Sequence, residues 1–257
     1  MDLKELLPGL SNIAVTHGIA YPIHTIKTRL QANKIANHNT FFSSIKNTYT
    51  KEGIFAFYRG VAPPIITATL VRPIEFALYE KFNKHINPYG SAFCAATITS
   101  SISCPLHVIR IAMQSTTKST HKNIFHAVKD TYKFQGIKGF FVGYSYNVSY
   151  NVLLGTAYLG TYGYLRKNLH MFDNKYGNIF MASLIASTVS APLYPLDTFR
   201  VVLQTNNFTF KQTWNKITSE GYTRFYRGWF PAGPMIMSIS GLAMMVYEYT
   251  KCQIVEI

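Results

Sequence analysis

Several long stretches of this chain lack aspartate, glutamate, lysine and arginine. Five of them reach about the 20 residues that a helix needs to cross the hydrocarbon core of a bilayer. They cover residues 6–26, 85–109, 139–165, 176–196 and 228–247. A sixth begins at Gly60 and is interrupted by Arg72 and Glu75. The pattern predicts an all-α membrane protein with six transmembrane helices.

A ten-residue proline segment occurs three times, starting at Pro22, Pro105 and Pro195. It reads PIHTIKTRLQ, PLHVIRIAMQ and PLDTFRVVLQ. A second segment follows each copy, as EGIFAFYRG, QGIKGFFVG and EGYTRFYRG, and a tyrosine lies 19 residues beyond each closing glycine. Because the proline segment, the second segment and the tyrosine recur three times in the same order, we predict three tandem two-helix repeats within one structural unit, with boundaries at 1–86, 87–170 and 171–257. The six candidate spans occupy matching places in these repeats, which strengthens the interrupted one.

The repeated segments also predict local structure. A proline inside a helix removes a backbone hydrogen bond, so the first, third and fifth spans should bend at the proline segment. Between the two spans of each repeat, apolar residues recur at helical spacing beside lysines, which indicates a short helix lying on a membrane surface. These residues are Phe41, Phe42 and Ile45; Ile124, Phe125 and Val128; and Phe208, Phe210, Trp214 and Ile217.

Composition agrees with a membrane protein and narrows the function. Only 14% of the residues are charged, against about a quarter in an average soluble domain. The formal net charge of +14 indicates an anionic partner, which leaves lipid headgroups, an anionic solute and nucleic acid open. Nucleic acid is disfavoured as a partner because the basic residues lie at the ends of the spans and not in a cluster with aromatic residues. The sequence shows no nucleophile–base set, metal-ligand cluster or phosphate-binding glycine loop, so we expect no enzyme activity, metal or cofactor.

The proline segment resembles the signature of the mitochondrial carrier family: proline, any residue, acid, two residues, base, any residue, base, with a glutamine following. The resemblance covers nearly the whole chain, and motif order, threefold repetition and spacing all agree. It implies six helices in pseudo-threefold symmetry around a central cavity that opens alternately to the intermembrane space and to the matrix, with the surface helices on the matrix side. It further implies a monomeric, multi-pass protein of the mitochondrial inner membrane that contacts membrane lipids, with cardiolipin as the candidate at the surface helices.

By the same resemblance, the acids and bases of the proline segments form ion pairs that close the matrix side, where thin water strengthens them. The family pattern places His24 opposite Arg110, His107 opposite Arg200 and Asp197 opposite Lys27, braced by Gln31, Gln114 and Gln204. Only the last of the three is an acid–base pair. A neutral histidine accepts a hydrogen bond from the facing arginine, whereas a protonated one repels it. We therefore expect a weak matrix gate.

A second gate is expected at the opposite mouth, where the family carries an aromatic residue, an acid, two residues and a base. The candidate residues are Tyr79, Glu80, Tyr162, Arg166, Tyr247, Glu248 and Lys251. The third repeat contains the full family pattern. In the first repeat Asn83 replaces the base, and in the second repeat Gly163 replaces the acid. This gate should therefore be incomplete, with a cross-helix pair of Glu80 and Arg166 as one alternative.

Polar residues in the middle of a span are candidates for substrate contact, because their burial in lipid is costly unless they line a wet cavity. The candidates, placed by the family's contact positions and by neighbouring charges and rings, are His17, Thr67, Arg72, Glu75, Tyr150, Asn151, Tyr158 and Met235. Alternatives stay open. His17 contacts a ligand or forms an interhelical hydrogen bond, Arg72 binds substrate or pairs with a glutamate, and the tyrosines of the fourth span stack on a ligand or simply pack.

The substrate class follows from the charges. A carrier of di- or tricarboxylates should place two or more arginines at the middle of the membrane, because each carboxylate needs a bidentate partner, and one is found here. A flat molecule of mixed charge fits the tyrosines better. We predict alternating-access transport of a nucleotide, S-adenosylmethionine or a similar cofactor. The alternative is a carrier-like membrane scaffold or receptor without transport.

Overall fold

The computed structural model describes residues 3–32, 40–86, 88–115, 123–168, 171–172, 174–189 and 191–255, and these residues form helices and turns without a strand. The α-helices in this part of the chain are α1 (Leu3–Gly18), α2 (Tyr21–Ala32), α3 (Phe41–Glu52), α4 (Ala62–Ile66), α5 (Arg72–Asn83), α6 (Pro88–Ser115), α7 (Ile124–Gln135), α8 (Tyr144–Asn168), α9 (Lys175–Val189), α10 (Tyr194–Asn206), α11 (Phe210–Ser219) and α12 (Trp229–Val255). A π-helical turn, Thr67–Val71, joins α4 to α5.

Each repeat has the same order of elements. The first transmembrane helix consists of α1 and α2, of α6, or of α9 and α10. A surface helix follows (α3, α7 or α11), and then the second transmembrane helix, formed by α4 and α5, by α8, or by α12. The prediction of six transmembrane helices in three tandem repeats, with short surface helices between them, is confirmed.

The prolines act differently in the three repeats. In the first and third repeats the helix breaks, and Pro22 and Pro195 each stand second in the helix that follows, where a missing N–H costs nothing. In the second repeat Pro105 lies inside α6, which continues from Pro88 to Ser115.

The helices pack side by side, and three of them meet at one end. Helix α1 packs on α12, α12 on α9, α9 on α8, α8 on α6, and α6 on α5. At the end that carries the surface helices, α2, α6 and α10 contact one another in pairs. A buried cluster of Ala32, Ile111 and Val201 contains one residue from each of these three helices. The bundle is therefore closed on the side of the surface helices.

Pseudo-threefold symmetry is visible at the second glycine of each repeated segment, which packs on the first helix of the next repeat. A Cβ atom added at Gly60 would lie 3.1 Å from Met113 Cβ, one at Gly143 would lie 2.9 Å from Leu203 Cδ2, and one at Gly228 would lie 3.4 Å from Leu30 Cβ. The three partners occupy equivalent positions in the proline segments. The backbone at Gly143 has a φ of 68°, so this position combines a left-handed conformation with a contact too close for a side chain.

The length and composition of several segments, and the exposed apolar side chains, agree with a lipid environment. By length and composition, three segments of the described residues suffice to cross a membrane: Ile54–Glu75, Lys175–Asn206 and Tyr222–Thr250. The first of them includes the interrupted sixth stretch. Phenylalanines at positions 42, 55, 125, 134 and 230 are each more than 70% exposed. A soluble surface rarely shows so many large apolar side chains, whereas a bilayer accepts them.

Candidate functional site

The closed end is held by an ion pair between the first and third repeats. Lys27 Nζ lies 2.7 Å from Asp197 Oδ2 and 4.6 Å from the ring centroid of Tyr194. The carboxylate of Asp197 also accepts hydrogen bonds from Arg200 at 2.6 Å and from Gln31 at 3.2 Å. Asp197 is 3% exposed, so three donors satisfy a carboxylate that is removed from water. The structure thus brings together the one acid–base pair of the predicted matrix gate.

Arg200 turns towards its own helix and α8. Its guanidinium donates to Asp197 and, at 2.8 Å, to Asn147 Oδ1, and its Cζ lies 4.5 Å from the ring centroid of Tyr150. The sequence did not single out Asn147. The predicted pairing of Arg200 with the half-buried His107 stays a prediction.

Arg110 is the third cation of the predicted gate. Its Cζ lies 5.5 Å from the ring centroid of Tyr21, and the guanidinium is close enough to act electrostatically on His17 and His24. Among the described residues, no carboxylate forms an ion pair with Arg110. The histidine that replaces the family's acid at position 24 explains this difference from Lys27.

The three cations share a second feature that the sequence analysis missed: each lies over a tyrosine ring. Lys27 lies over Tyr194 and Arg110 over Tyr21. In both cases the tyrosine directly precedes the proline of a neighbouring repeat, the third repeat for Lys27 and the first repeat for Arg110. In the second repeat that position is Cys104, and Tyr150 on α8 supplies the ring to Arg200 instead. The sequence carries a signal of this difference, because the residues directly before the three prolines are tyrosine, cysteine and tyrosine.

The three predicted brace residues each donate to another repeat in the same cyclic sense. Gln31 donates to Asp197 and Thr198 Oγ1, Gln114 to Thr25 Oγ1, and Gln204 to the carbonyl of Val142. Gln114 also accepts a hydrogen bond from Thr28 at 3.1 Å. The glutamines therefore link neighbouring repeats at the closed end.

Arg29 forms a further link between helices. It is fully buried, donates to both carboxylate oxygens of Glu52 at 2.8 and 3.0 Å, and donates through Nε to the carbonyl of Gln114 at 3.2 Å. It joins α2 to α3 and to the last turn of α6. The sequence signal is that the first repeat alone combines a second base in its proline segment with a glutamate at the start of its second segment.

Arg224 forms the corresponding link between the third and first repeats. Its Nη atoms donate to the carbonyls of Leu30 and Gln31, at 3.2 and 2.8 Å, in the last turn of α2. A cation at this place satisfies carbonyls that have no partner within the helix.

Glu220 anchors Arg224 at 3.0 Å and also pairs with Lys216 at 3.0 Å. Burial acts to raise the pKa of Glu220, but the hydrogen bond from Lys216 and the charges of Arg224 and Arg227 outweigh burial and lower that pKa below its ordinary value. The carboxylate therefore favours the folded state when it is charged.

The predicted substrate residues fall into different surroundings. His17 is half-buried and meets the ring of Tyr21 edge-on at 6.3 Å. Thr67 opens the π-helical turn and donates to the carbonyl of Pro63 at 3.0 Å. Met235 is 45% exposed. Asn151 and Glu75 are half-buried, the latter in the first turn of α5.

Tyr158 lies between α8 and α9. Its hydroxyl lies 2.7 Å from Ser183 Oγ, and its ring stacks on Tyr162 at 6.2 Å. Tyr158 and Tyr162 therefore lie in an interhelical cluster, which is the packing alternative given for the tyrosines of the fourth span.

The second predicted gate is described in part. Tyr162 and Glu248 are buried, and Tyr247 is half-buried. The side chains of Arg72, Tyr79, Glu80, Arg166 and Lys251 lie outside the described residues. The pairs proposed for this gate stay predictions.

A comparison with protein families decides the identity at family level. The model for mitochondrial carrier proteins matches three times in succession, over residues 3–90, 85–173 and 172–256. The chain belongs to the mitochondrial carrier family. This carrier is 25% identical to an uncharacterised mitochondrial carrier of Schizosaccharomyces pombe, over 96% of this chain and 89% of the relative. It is 28% identical to mitochondrial ornithine transporter 1 of Saccharomyces cerevisiae, over 82% of each chain.

A third relative is the mitochondrial thiamine pyrophosphate carrier 1 of Saccharomyces cerevisiae, 30% identical over 63% of this carrier and 56% of the relative. Family membership makes the chain a multi-pass protein of the mitochondrial inner membrane and a solute carrier, and it is a family of transporters, not enzymes. The family resemblance implies that the surface helices lie on the matrix side, and the closed end is called the matrix end on that basis.

Proposed function

We propose that this carrier transports a nucleotide or a similar cofactor by alternating access through a cavity between its six helices. The observation that supports the mechanism is the junction of α2, α6 and α10 at the matrix end, held by the pair of Lys27 and Asp197 at 2.7 Å. Opening towards the matrix requires this pair to separate, so the pair acts as a gate.

The charge of the matrix gate supports an anionic substrate. Lys27, Arg110 and Arg200 stand against the single carboxylate of Asp197, which leaves a net charge of +2 when the histidines are neutral. A basic surface at the bottom of a low-dielectric cavity concentrates anions. A nucleotide fits this charge better than S-adenosylmethionine, whose sulfonium group is a cation.

The aromatic rings near the gate support a substrate with a flat ring. His17, Tyr21 and Tyr150 are rings beside Arg110 or Arg200, and such rings stack on bases and heterocycles. One of the relatives is named for thiamine pyrophosphate, a cofactor with aromatic rings and a pyrophosphate. The size and charge of a nucleotide are similar to those of thiamine pyrophosphate.

A flux assay in proteoliposomes tests the proposal. We expect saturable uptake of a nucleotide or cofactor from a panel that also contains S-adenosylmethionine, thiamine pyrophosphate, ornithine and dicarboxylates. Lys27→Ala should reduce this uptake, because it removes the gate pair. The matched control is Lys46→Ala, which removes an exposed lysine of α3 and should leave uptake unchanged. A folded protein that transports no member of the panel would favour the scaffold or receptor.

We further propose a lipid site and a monomeric state. A groove of about 760 Å³ lies between the first and second repeats, and its lining includes Lys51, Arg59 and the start of α7 at Asn123. Glu52 also lines the groove and pairs with Arg59 at 3.3 Å, so Lys51 and the helix N-terminus are the groups that suit a lipid phosphate, cardiolipin included. The contacts that link the three repeats at the matrix end all lie within one chain, which supports a monomer. Native mass spectrometry in mild detergent tests both, and a dimer or the absence of retained cardiolipin would contradict them.

A further inference from the structure

Arg110 differs from the other two gate cations. All three lie over tyrosine rings, and Lys27 and Arg200 also reach the carboxylate of Asp197. Arg110 has the ring of Tyr21 without a carboxylate among the described residues. The hydroxyl of Tyr21 accepts a hydrogen bond from Arg110 and its ring face attracts the charge, but one hydroxyl engages only part of the five N–H donors of a guanidinium. Because no carboxylate among the described residues pairs with Arg110, its other donors are available to an oxyanion.

The surroundings of Arg110 suit such a group. His17 meets the ring of Tyr21 edge-on at 6.3 Å across the break between α1 and α2, and His24 follows Tyr21 by three residues in α2, on the same face. The guanidinium lies over the middle ring and acts electrostatically on the histidines at both ends. Arg110 and His17 are both half-buried, so each keeps exposed surface that a ligand can contact.

We propose that a phosphate group of the substrate binds Arg110 beside His17 and Tyr21, and supplies the negative charge that a carboxylate at position 24 would otherwise provide. The inference rests on the proposed function, because it assigns one contact of that substrate. The substrate then completes the matrix gate. The loaded carrier closes its matrix end with two anions, Asp197 and the phosphate, whereas the empty carrier closes it with one.

The test compares full-length protein and variants in detergent, with inorganic pyrophosphate as the probe and the thermal unfolding temperature as the readout. Pyrophosphate should raise the Tm of the unmodified protein in a saturable way. Arg110→Gln should weaken the apparent affinity about tenfold or more, because it removes a charge-assisted contact. His24→Asp should raise the Tm without any ligand and weaken the pyrophosphate response by a similar factor, because the new carboxylate occupies Arg110.

The matched control is His85→Asp, which makes the same substitution at an exposed position in the turn after α5 and should respond to pyrophosphate as the unmodified protein does. An equal response in His24→Asp and the unmodified protein would overturn the site, as would the absence of any response. Should Arg110→Gln fail to fold, His24→Asp still decides the matter, because it adds a partner instead of removing one. An equal response to succinate would refute the preference for phosphate.

Failure of the site is distinguishable from failure of the proposed function. A carrier that transports no nucleotide or cofactor but shows the expected response of all three variants retains the oxyanion site and loses the transport proposal. A carrier that transports a nucleotide with unchanged KM in His24→Asp retains the transport proposal and loses the site.

Discussion

Replacement of Asp197 by alanine is the most direct test of the matrix gate. This carboxylate accepts from Lys27, Arg200 and Gln31, and it is 3% exposed. Its removal leaves two cations near each other in a place with little water, with Arg110 as the third cation of the proposed gate. We therefore expect Asp197→Ala to destabilise the closed protein strongly.

The magnitude follows from the contacts that remain. Removing one partner of a buried ion pair costs about 3–5 kcal/mol. Arg200 keeps Asn147 Oδ1 and the ring of Tyr150, and Lys27 keeps the ring of Tyr194, where each cation–ring contact contributes roughly 0.5–2 kcal/mol. These contacts place the cost near the lower end, at about 3 kcal/mol. At about 2–4 °C per kcal/mol for a chain of this size, the Tm should fall by about 6–12 °C.

Thermal unfolding of the purified protein in detergent measures this change. The matched control is Asp130→Ala, because Asp130 pairs with the half-exposed side chain of His126 at 3.1 Å on α7, where an exposed pair contributes about 0–1 kcal/mol. Asp197→Asn should fall between the two, since the amide keeps the shape and loses the charge. A Tm for Asp197→Ala no lower than that of Asp130→Ala would refute the gate as described.

Three further predictions use the same unfolding assay. Arg29→Ala should cost about 3–5 kcal/mol, because a fully buried guanidinium that joins three helices is removed, and a change below about 1 kcal/mol would contradict the link. Gly241→Ala should cost about 1–3 kcal/mol, because the new Cβ would lie 2.7 Å from Phe180 Cδ2, whereas Gly155→Ala meets no atom within 4 Å and should not destabilise. The lowered pKa of Glu220 means that its contribution is present above the ordinary glutamate pKa of about 4.3 and is lost as the pH falls through the folded-state pKa, so Glu220→Gln should flatten the pH dependence of Tm in that range.

The fold was accessible from the sequence because its signals repeat. Three proline segments with equal internal spacing predict three bent helices whatever the side chains around them do, and the cyclic order of the repeats correctly places Lys27 beside Asp197. Even the span broken by Arg72 and Glu75 was found, since its place in the repeat was fixed by the other two.

Side-chain direction was not accessible in the same way. Arg200 turns to Asn147 and Tyr150 because the residue before Pro105 is a cysteine and offers no ring, and nothing in one repeat taken alone reveals this. Tyr158 bonds Ser183 in a different repeat, a contact that depends on how α8 and α9 are rotated against each other. Spacing within a motif determines which residues share a helix face, whereas partners across helices depend on packing.

The arginines that reach carbonyl groups have a consequence for how the carrier is assembled. Arg224, near the C-terminal end, supports the last turn of α2, near the N-terminal end, and Arg29 supports the last turn of α6. A single repeat expressed by itself would leave a buried guanidinium and a helix end without their partners. We expect such a fragment to stay unfolded in detergent, while two co-expressed fragments cut within one inter-repeat loop should reassemble.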